Sequence, residues 1–184
     1  MGKIVDVYKE MVDKYLEEKA TVVFANSNVS HASYIIQRML ESAEKEVCIL
    51  SGTFNDVFYQ GAEVKKAFQV AAKSIYKNGG SIRVITADEP DTKDLRQLFK
   101  EVNESAGGKD VVKYISAING GKPEDIQHFI VVDKLMYREE ERHPLLKEPL
   151  EQAKIKAEVC FNAKEKASFL ASSFNSIWER LSAH

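Results

Sequence analysis

The strongest constraint on this chain is a repeated alternation of short β-branched runs with longer amphipathic stretches. The runs are TVVFA at 21–25, EVCILS at 46–51, SIRVIT at 81–86, FIVVD at 129–133 and AEVCF at 157–161. Each is too short for a helix and rich in Val, Ile, Phe or Cys, so each reads as a strand. FIVVD is the clearest central strand. Residues 111–118 read as a further strand or extended segment, and 134–138 as a turn and return strand.

Between these runs the apolar residues follow the helical period. In 4–18, Val5, Tyr8, Val12 and Tyr15 form one stripe. In 31–43 the stripe is Ile35, Ile36, Met39 and Leu40, with Ser30 as the expected N-cap after a polar turn at 26–30. Residues 63–77 place Val64, Phe68, Ala71, Ala72 and Ile75 inward and stop at Asn78-Gly79-Gly80. Residues 94–103 pack through Leu95, Leu98, Phe99 and Val102. Residues 164–181 close the chain through Ala167, Leu170, Phe174, Ile177 and Trp178. The segment 54–59 reads as a loop or short helical turn. Gly107-Gly108 is a break, Pro123 and Glu124 open a turn, and the charged, proline-bearing 139–149 reads as a loop.

This order implies an α/β fold, with a mostly parallel or mixed sheet flanked by helices on both faces. A length of 184 residues fits one domain, 1–184, that includes an N-terminal helix within 1–19. Such a chain buries about 70% of its unfolded surface and needs no disulfide or metal to be stable. Cys48 and Cys160 each sit within an apolar run and read as reduced core residues. The net charge of -2 carries no bulk basic field. The first 19 residues are charged throughout, and no apolar run approaches the ~18 residues of a membrane span. A cytoplasmic protein without cofactor, metal or membrane association is the expectation.

Three stretches carry a family resemblance. They are HASYIIQRMLESAEKEVCILSGTF followed by a long helix and NGGSIRVITAD; IQHFIVVDKLMYR; and AEVCFNAKEKASFLASSFNSIWERL. Across 30–181 they resemble a phospholipase D-like domain. The second stretch matches the family's central strand, which carries His-x-Lys-x4-Asp. With Asp133 in the Asp position, His128 stands where the Lys belongs and Ile126 where the nucleophilic His belongs. No complete motif occurs in the chain, and the following Gly-Ser-x-Asn element is replaced by Tyr137-Arg138-Glu139-Glu140-Glu141-Arg142-His143. The resemblance implies a single-repeat, degenerate domain that binds a phosphodiester, nucleic acid or nucleotide, as a homodimer.

The candidate catalytic residues are His128, Asp133, Arg138, Glu140 and His143. Imidazole can attack or deprotonate near neutral pH, and a guanidinium holds phosphate oxygens in a fork. His128 equally reads as a strand-edge residue bonded to a neighbour, with Asp133 shaping the turn. The usual meaning of a run as charged as 137–143 is a solvated face or loop. Its carboxylates and His143 match no metal-ligand spacing. Ser51, Thr53 and Tyr137 are candidate phosphate contacts. His31 sits at a helix start, where a positive charge is disfavoured, and reads as a surface residue. Lys65, Lys66, Lys73 and Lys77 form a modest basic helix face. Phe54, Phe58 and Tyr59 could stack bases or cover the core. Two other functions stay open: a phosphodiesterase or nuclease centred on His128, and a non-catalytic interaction domain within a larger protein complex.

Overall fold

The computed structural model describes residues 6–26, 28–52, 57–86, 92–108, 110–116, 126–142 and 156–183. Thr53, Phe54, Pro123, Glu124, His143 and the side chain of Leu95 lie outside the described residues.

Among the described residues seven strands form one sheet in the spatial order β1-β7-β6-β5-β2-β3-β4. They are β1 (Phe24–Asn26), β2 (Glu46–Ser51), β3 (Ser81–Thr86), β4 (Val112–Ile115), β5 (Phe129–Val132), β6 (Met136–Glu140) and β7 (Ala157–Cys160). Pairs β2/β3 and β3/β4 are parallel, and the other four pairs are antiparallel. The sheet is therefore mixed. Strand β5 occupies its middle, and all four of its residues are buried. That matches the uninterrupted FIVV run, since a strand covered on both faces has no polar side to show.

Among the described residues six helices cover the sheet: α1 (Val7–Glu17), α2 (Val29–Glu41), α3 (Val57–Gln60), α4 (Ala62–Lys77), α5 (Thr92–Ser105) and α6 (Lys164–Ser182). Alternate strand residues feed two cores. Val47, Ile49, Ile82, Val84, Ile130, Val132 and Val159 meet α1 to α5 on one face. Cys48, Leu50, Ile85, Phe129, Val131, Tyr137 and Cys160 meet α6 on the other. Phe174 and Trp178 of α6 stack at 5.8 Å, and both lie against the guanidinium of Arg83. The two cysteines are free and buried, and burial pushes the Cys48 thiol up to about 11 despite the pull of Arg83.

Two local expectations are corrected. Helix α2 is capped by Asn28, whose side chain accepts from the His31 amide at 2.8 Å, so Ser30 lies inside the helix. The start is set by the residue that adopts extended backbone, and Asn28 does so with a short acceptor in reach. The second correction concerns the 139–149 loop. Strand β6 runs on through Glu140, held between β5 and β7 on both edges. Among the described residues no helix is long and apolar enough to cross a membrane.

Candidate functional site

Strand β5 separates the two leading candidates, His128 and Asp133. Asp133 follows its C-terminal end, and His128 precedes its N-terminal end. At about 3.3 Å per residue, five steps put them roughly 16 Å apart. They cannot share one reacting group.

At the Asp133 end the geometry is that of a clamp. Asp133 and Lys134 both have positive φ, 54° and 52°, in the tight three-residue connection 133–135 that joins the paired Val132 and Met136, and the Leu135 amide donates to the Val132 carbonyl at 3.0 Å. The Asp133 carboxylate accepts three backbone N–H groups, from Glu44 at 2.9 Å, Lys45 at 2.7 Å and Glu46 at 2.8 Å. These donors lie at and just before the start of strand β2. The carboxylate is thereby spent on the backbone.

The His128 end is different. The six buried polar or charged side chains among the described residues are Asn26, Ser51, Thr86, His128, Arg138 and Glu140. All of them lie on one face at one end of the sheet. Asn26 pairs with Ala157, and Ala157 with Glu140. The Glu140 amide donates to the His128 carbonyl at 2.8 Å. One step beyond the Leu50–Phe129 pair, Ser51 falls beside His128, and Ser51 pairs with Thr86. A single row, polar except at Ala157, therefore crosses six strands. Arg138 points to the same face, two residues before Glu140.

Arg138 is fully buried. Its Nε donates to Asn26 Oδ1 at 3.1 Å, its Nη1 pairs with Glu140 Oε1, and its guanidinium lies 5.6 Å from the Phe58 ring centre. Its Nη2 has no hydrogen-bond partner. A buried, unpaired donor on a charged group costs about 1–3 kcal/mol or more, so it marks a place where an acceptor fits. Tyr8 of α1 stands in this electrostatic neighbourhood. Burial pushes its hydroxyl up to about 12, and the Arg138 charge pulls the other way. Tyr8 donates to the Ala25 carbonyl at 3.1 Å and stacks on His31 at 3.6 Å with the rings 6° from parallel.

Asn26 and Glu140 also line a cleft of about 620 Å³ at this end of the sheet, together with Gln127, Arg142, Lys156 and Glu158. Arg138 is not among its described lining residues, and Gln127, Glu139 and Glu158 alternate to the α6 face, opposite Arg138. Among the described residues no group of three or more His, Cys, Asp or Glu side chains could hold a metal ion.

The structure thus gathers His128, Arg138, Glu140 and Ser51, and leaves Asp133 at the opposite end. Tyr137 alternates to the α6 face, where it is buried with Cys160, Phe129 and Leu170. Thr53 and His143 lie outside the described residues. Ile126 is a buried apolar residue. The 137–143 run is no solvated face over its first half, because Tyr137, Arg138 and Glu140 are buried. Phe58 and Tyr59 are core residues, which removes them as an exposed stacking platform. Sequence reasoning misses Asn26, Thr86 and Phe58 as neighbours of this site. The signal that could have found the row is a polar residue ending each of three apolar runs: FAN, ILS and VIT.

In sequence the chain matches no family profile and no curated protein. In structure it matches Nuc, a phospholipase D family member from Salmonella typhimurium, with 14% identity and a TM-score of 0.60 over 86% of this chain and 94% of that one. NucT from Helicobacter pylori matches with 13% identity and a TM-score of 0.60, over 86% and 96%. TrmBL2, an archaeal chromatin protein described as binding DNA, matches with 12% identity and a TM-score of 0.53, over 95% and 62%. Strand order, the two-faced helical cover and these likenesses agree: the chain has the phospholipase D-like fold.

Proposed function

We propose that this domain binds a phosphodiester, nucleic acid or nucleotide, without cleaving it, and does so as a homodimer. The observation that carries the reading is Arg138: a buried guanidinium with one unpaired amino group, beside a row of buried polar side chains at one end of the sheet. A phosphodiester oxygen is the acceptor such a donor suits best. Non-hydrolytic binding follows from the rest of the site. A buried Ile126 cannot attack phosphorus, and Asp133 is held by three amides at the far end of the strand. Support for the ligand class comes from the likeness to two phospholipase D-like proteins and to a DNA-binding chromatin protein, and support for the dimer from the single-repeat form of the fold. His128 remains a side chain of the row able to act as a nucleophile or base, whereas the Glu140 carboxylate is paired with Arg138.

The test is a paired assay with labelled DNA, RNA and bis(4-nitrophenyl) phosphate, beside Arg138→Met and His128→Ala. Binding without turnover, lost in Arg138→Met and kept in His128→Ala, is the expected result. Turnover that disappears in His128→Ala would establish the phosphodiesterase instead. Absence of binding by every probe would leave the interaction-domain reading.

A further inference from the structure

Helix α4 turns a basic face to solvent that the polar row does not use. Its exposed residues Lys66, Val70, Lys73 and Lys77 follow spacings of 4, 3 and 4, which sets them in one stripe along the helix. The opposite face, with Val64, Phe68, Ala72 and Ile75, is buried in the core. The stripe therefore forms the outer crest of the helix. Half-buried Lys65 lies beside it, and Glu63 is the only acidic residue of α4.

Other helices of this chain pair their cations. Lys14 faces Glu18 and Lys100 faces Glu104, each four residues on, and Arg38 is held by Asp13 and Glu41. On α4 the residues four positions after Lys65, Lys66 and Lys73 are Gln69, Val70 and Lys77. Among the described residues none of the four lysines takes part in an ion pair. Lys73 and Lys77 stand at a spacing where like charges repel. The helix dipole favours Lys77 in the last turn, and it does nothing for Lys66, about three turns earlier.

A row of uncompensated lysines on a convex surface suits a polyanion. At about 1.5 Å per residue, Lys66 and Lys77 are separated by roughly 16 Å of helix. A nucleic-acid strand carries a phosphate every ~3.4 Å of its axis, so the stripe runs beside about five phosphates. A lipid surface fits less well. A helix binds a membrane by burying an apolar face in it, and the apolar face of α4 is already in the core. Its exposed large apolar side chains are Val70 and Tyr76 alone.

We infer that the outer face of α4 is a nucleic-acid backbone surface, on which Lys66, Lys73 and Lys77 contact phosphates. The inference rests on the phosphodiester reading above and narrows its ligand to a polymer. Contacts of this kind position a nucleic acid and carry no sequence information, so duplexes of different sequence bind alike.

The experiment sets the wild type beside the triple variant Lys66→Gln, Lys73→Gln, Lys77→Gln. The probes are a short DNA duplex, a single strand of the same length, bis(4-nitrophenyl) phosphate, and phosphatidylcholine vesicles containing phosphatidylserine. Salt is varied between about 50 and 200 mM. Over that range the three contacts are expected to cost the wild type about fortyfold in duplex affinity. The triple variant should bind duplex and strand more weakly, with a duplex salt slope flatter by about 3. It should bind bis(4-nitrophenyl) phosphate as the wild type does, which also shows that it folds. If the triple variant does not fold, Lys66→Gln and Lys73→Gln should each flatten the slope by about 1, and unchanged slopes in both overturn the inference.

Nucleic-acid binding with the same affinity and slope in the triple variant overturns this inference and leaves the phosphodiester reading standing. So does binding of bis(4-nitrophenyl) phosphate without binding of duplex or strand. Vesicle binding that the triple variant loses, with no nucleic acid bound, assigns the stripe to a lipid surface and overturns it too. Absence of binding by every probe overturns both readings.

Discussion

The two ends of strand β5 solve opposite problems with similar side chains. At the Asp133 end a carboxylate meets three backbone amides at the start of β2, and every group involved has a partner. At the His128 end a guanidinium meets a carboxylate and an amide oxygen and is left with a donor to spare. The first arrangement closes a hairpin and holds strands together. The second leaves a buried charge incompletely satisfied, which a fold tolerates where something else is to be bound. Here the Asp133 end is tied into the backbone, and the His128 end carries a row of buried polar side chains.

The largest effect should come from Arg138. Arg138→Met strands Glu140 as a buried, uncompensated carboxylate and is expected to lower stability by about 3–5 kcal/mol in denaturant titration. Replacing both partners, as Arg138→Met with Glu140→Leu, should recover most of that loss. Binding by the double variant should stay abolished. A double variant that folds and still binds would remove the distinction between the two ends. Asp133→Ala should come next. It strips three amides of a charged acceptor and puts an alanine at positive φ, at a cost of about 2 kcal/mol. Because Asp133 lies at the far end of the strand, phosphodiester affinity per folded molecule should not change. A matching loss of affinity would show that the ends are coupled.

The smallest effect concerns pH at the row's outer margin. Burial lowers the His31 pKa below its ordinary value of 6.5, Asp6 opposes this, and Lys9 adds to it. The folded chain thus holds the proton less well than the unfolded one. Stability is fully present above about 6.5 and declines as pH falls through and below that value. Thermal melts between about pH 7.5 and 5.5 should show a decline that is shallower in His31→Gln, by about 1–2 °C. An identical decline in the variant would assign the pH dependence to other groups.

Much of the fold is legible in the amino-acid order. The bounds of β2 and β3 coincide with EVCILS and SIRVIT, and α4 and α6 lie within one residue of their periodic stripes. In each case the buried face is a local pattern, and the interruption is a turn residue such as Gly79, whose φ of 72° explains the stop. The candidate site is legible only in part. His128, Arg138 and Glu140 stand out by residue type, yet the dense charge of Glu139 to His143 reads as a loop. The structure threads its first residues into a doubly paired strand. Burial there comes from β7, which supplies the other edge from residues about 20 positions further on. Asp133 stands out as a candidate for chemistry because the family motif ends on it. Its partners, the amides of Glu44 to Glu46, lie nearly 90 residues earlier and leave no trace among its neighbours in the chain.

The amino-acid order alone therefore dictates which segments become helix or strand and which faces are apolar, because those are periodic properties of a few adjacent residues. Strand order and register are decided by folding, which matches residues far apart in the chain. That matching brings the polar ends of FAN, ILS and VIT, the start of β5 and the end of β6 into one row. It also turns the guanidinium of Arg138 inward against Glu140 and sends Asp133 to the opposite end. A one-residue slip in any of these registers would turn that strand's polar end to the other face. The site exists because six strands agree on a register that no single segment encodes.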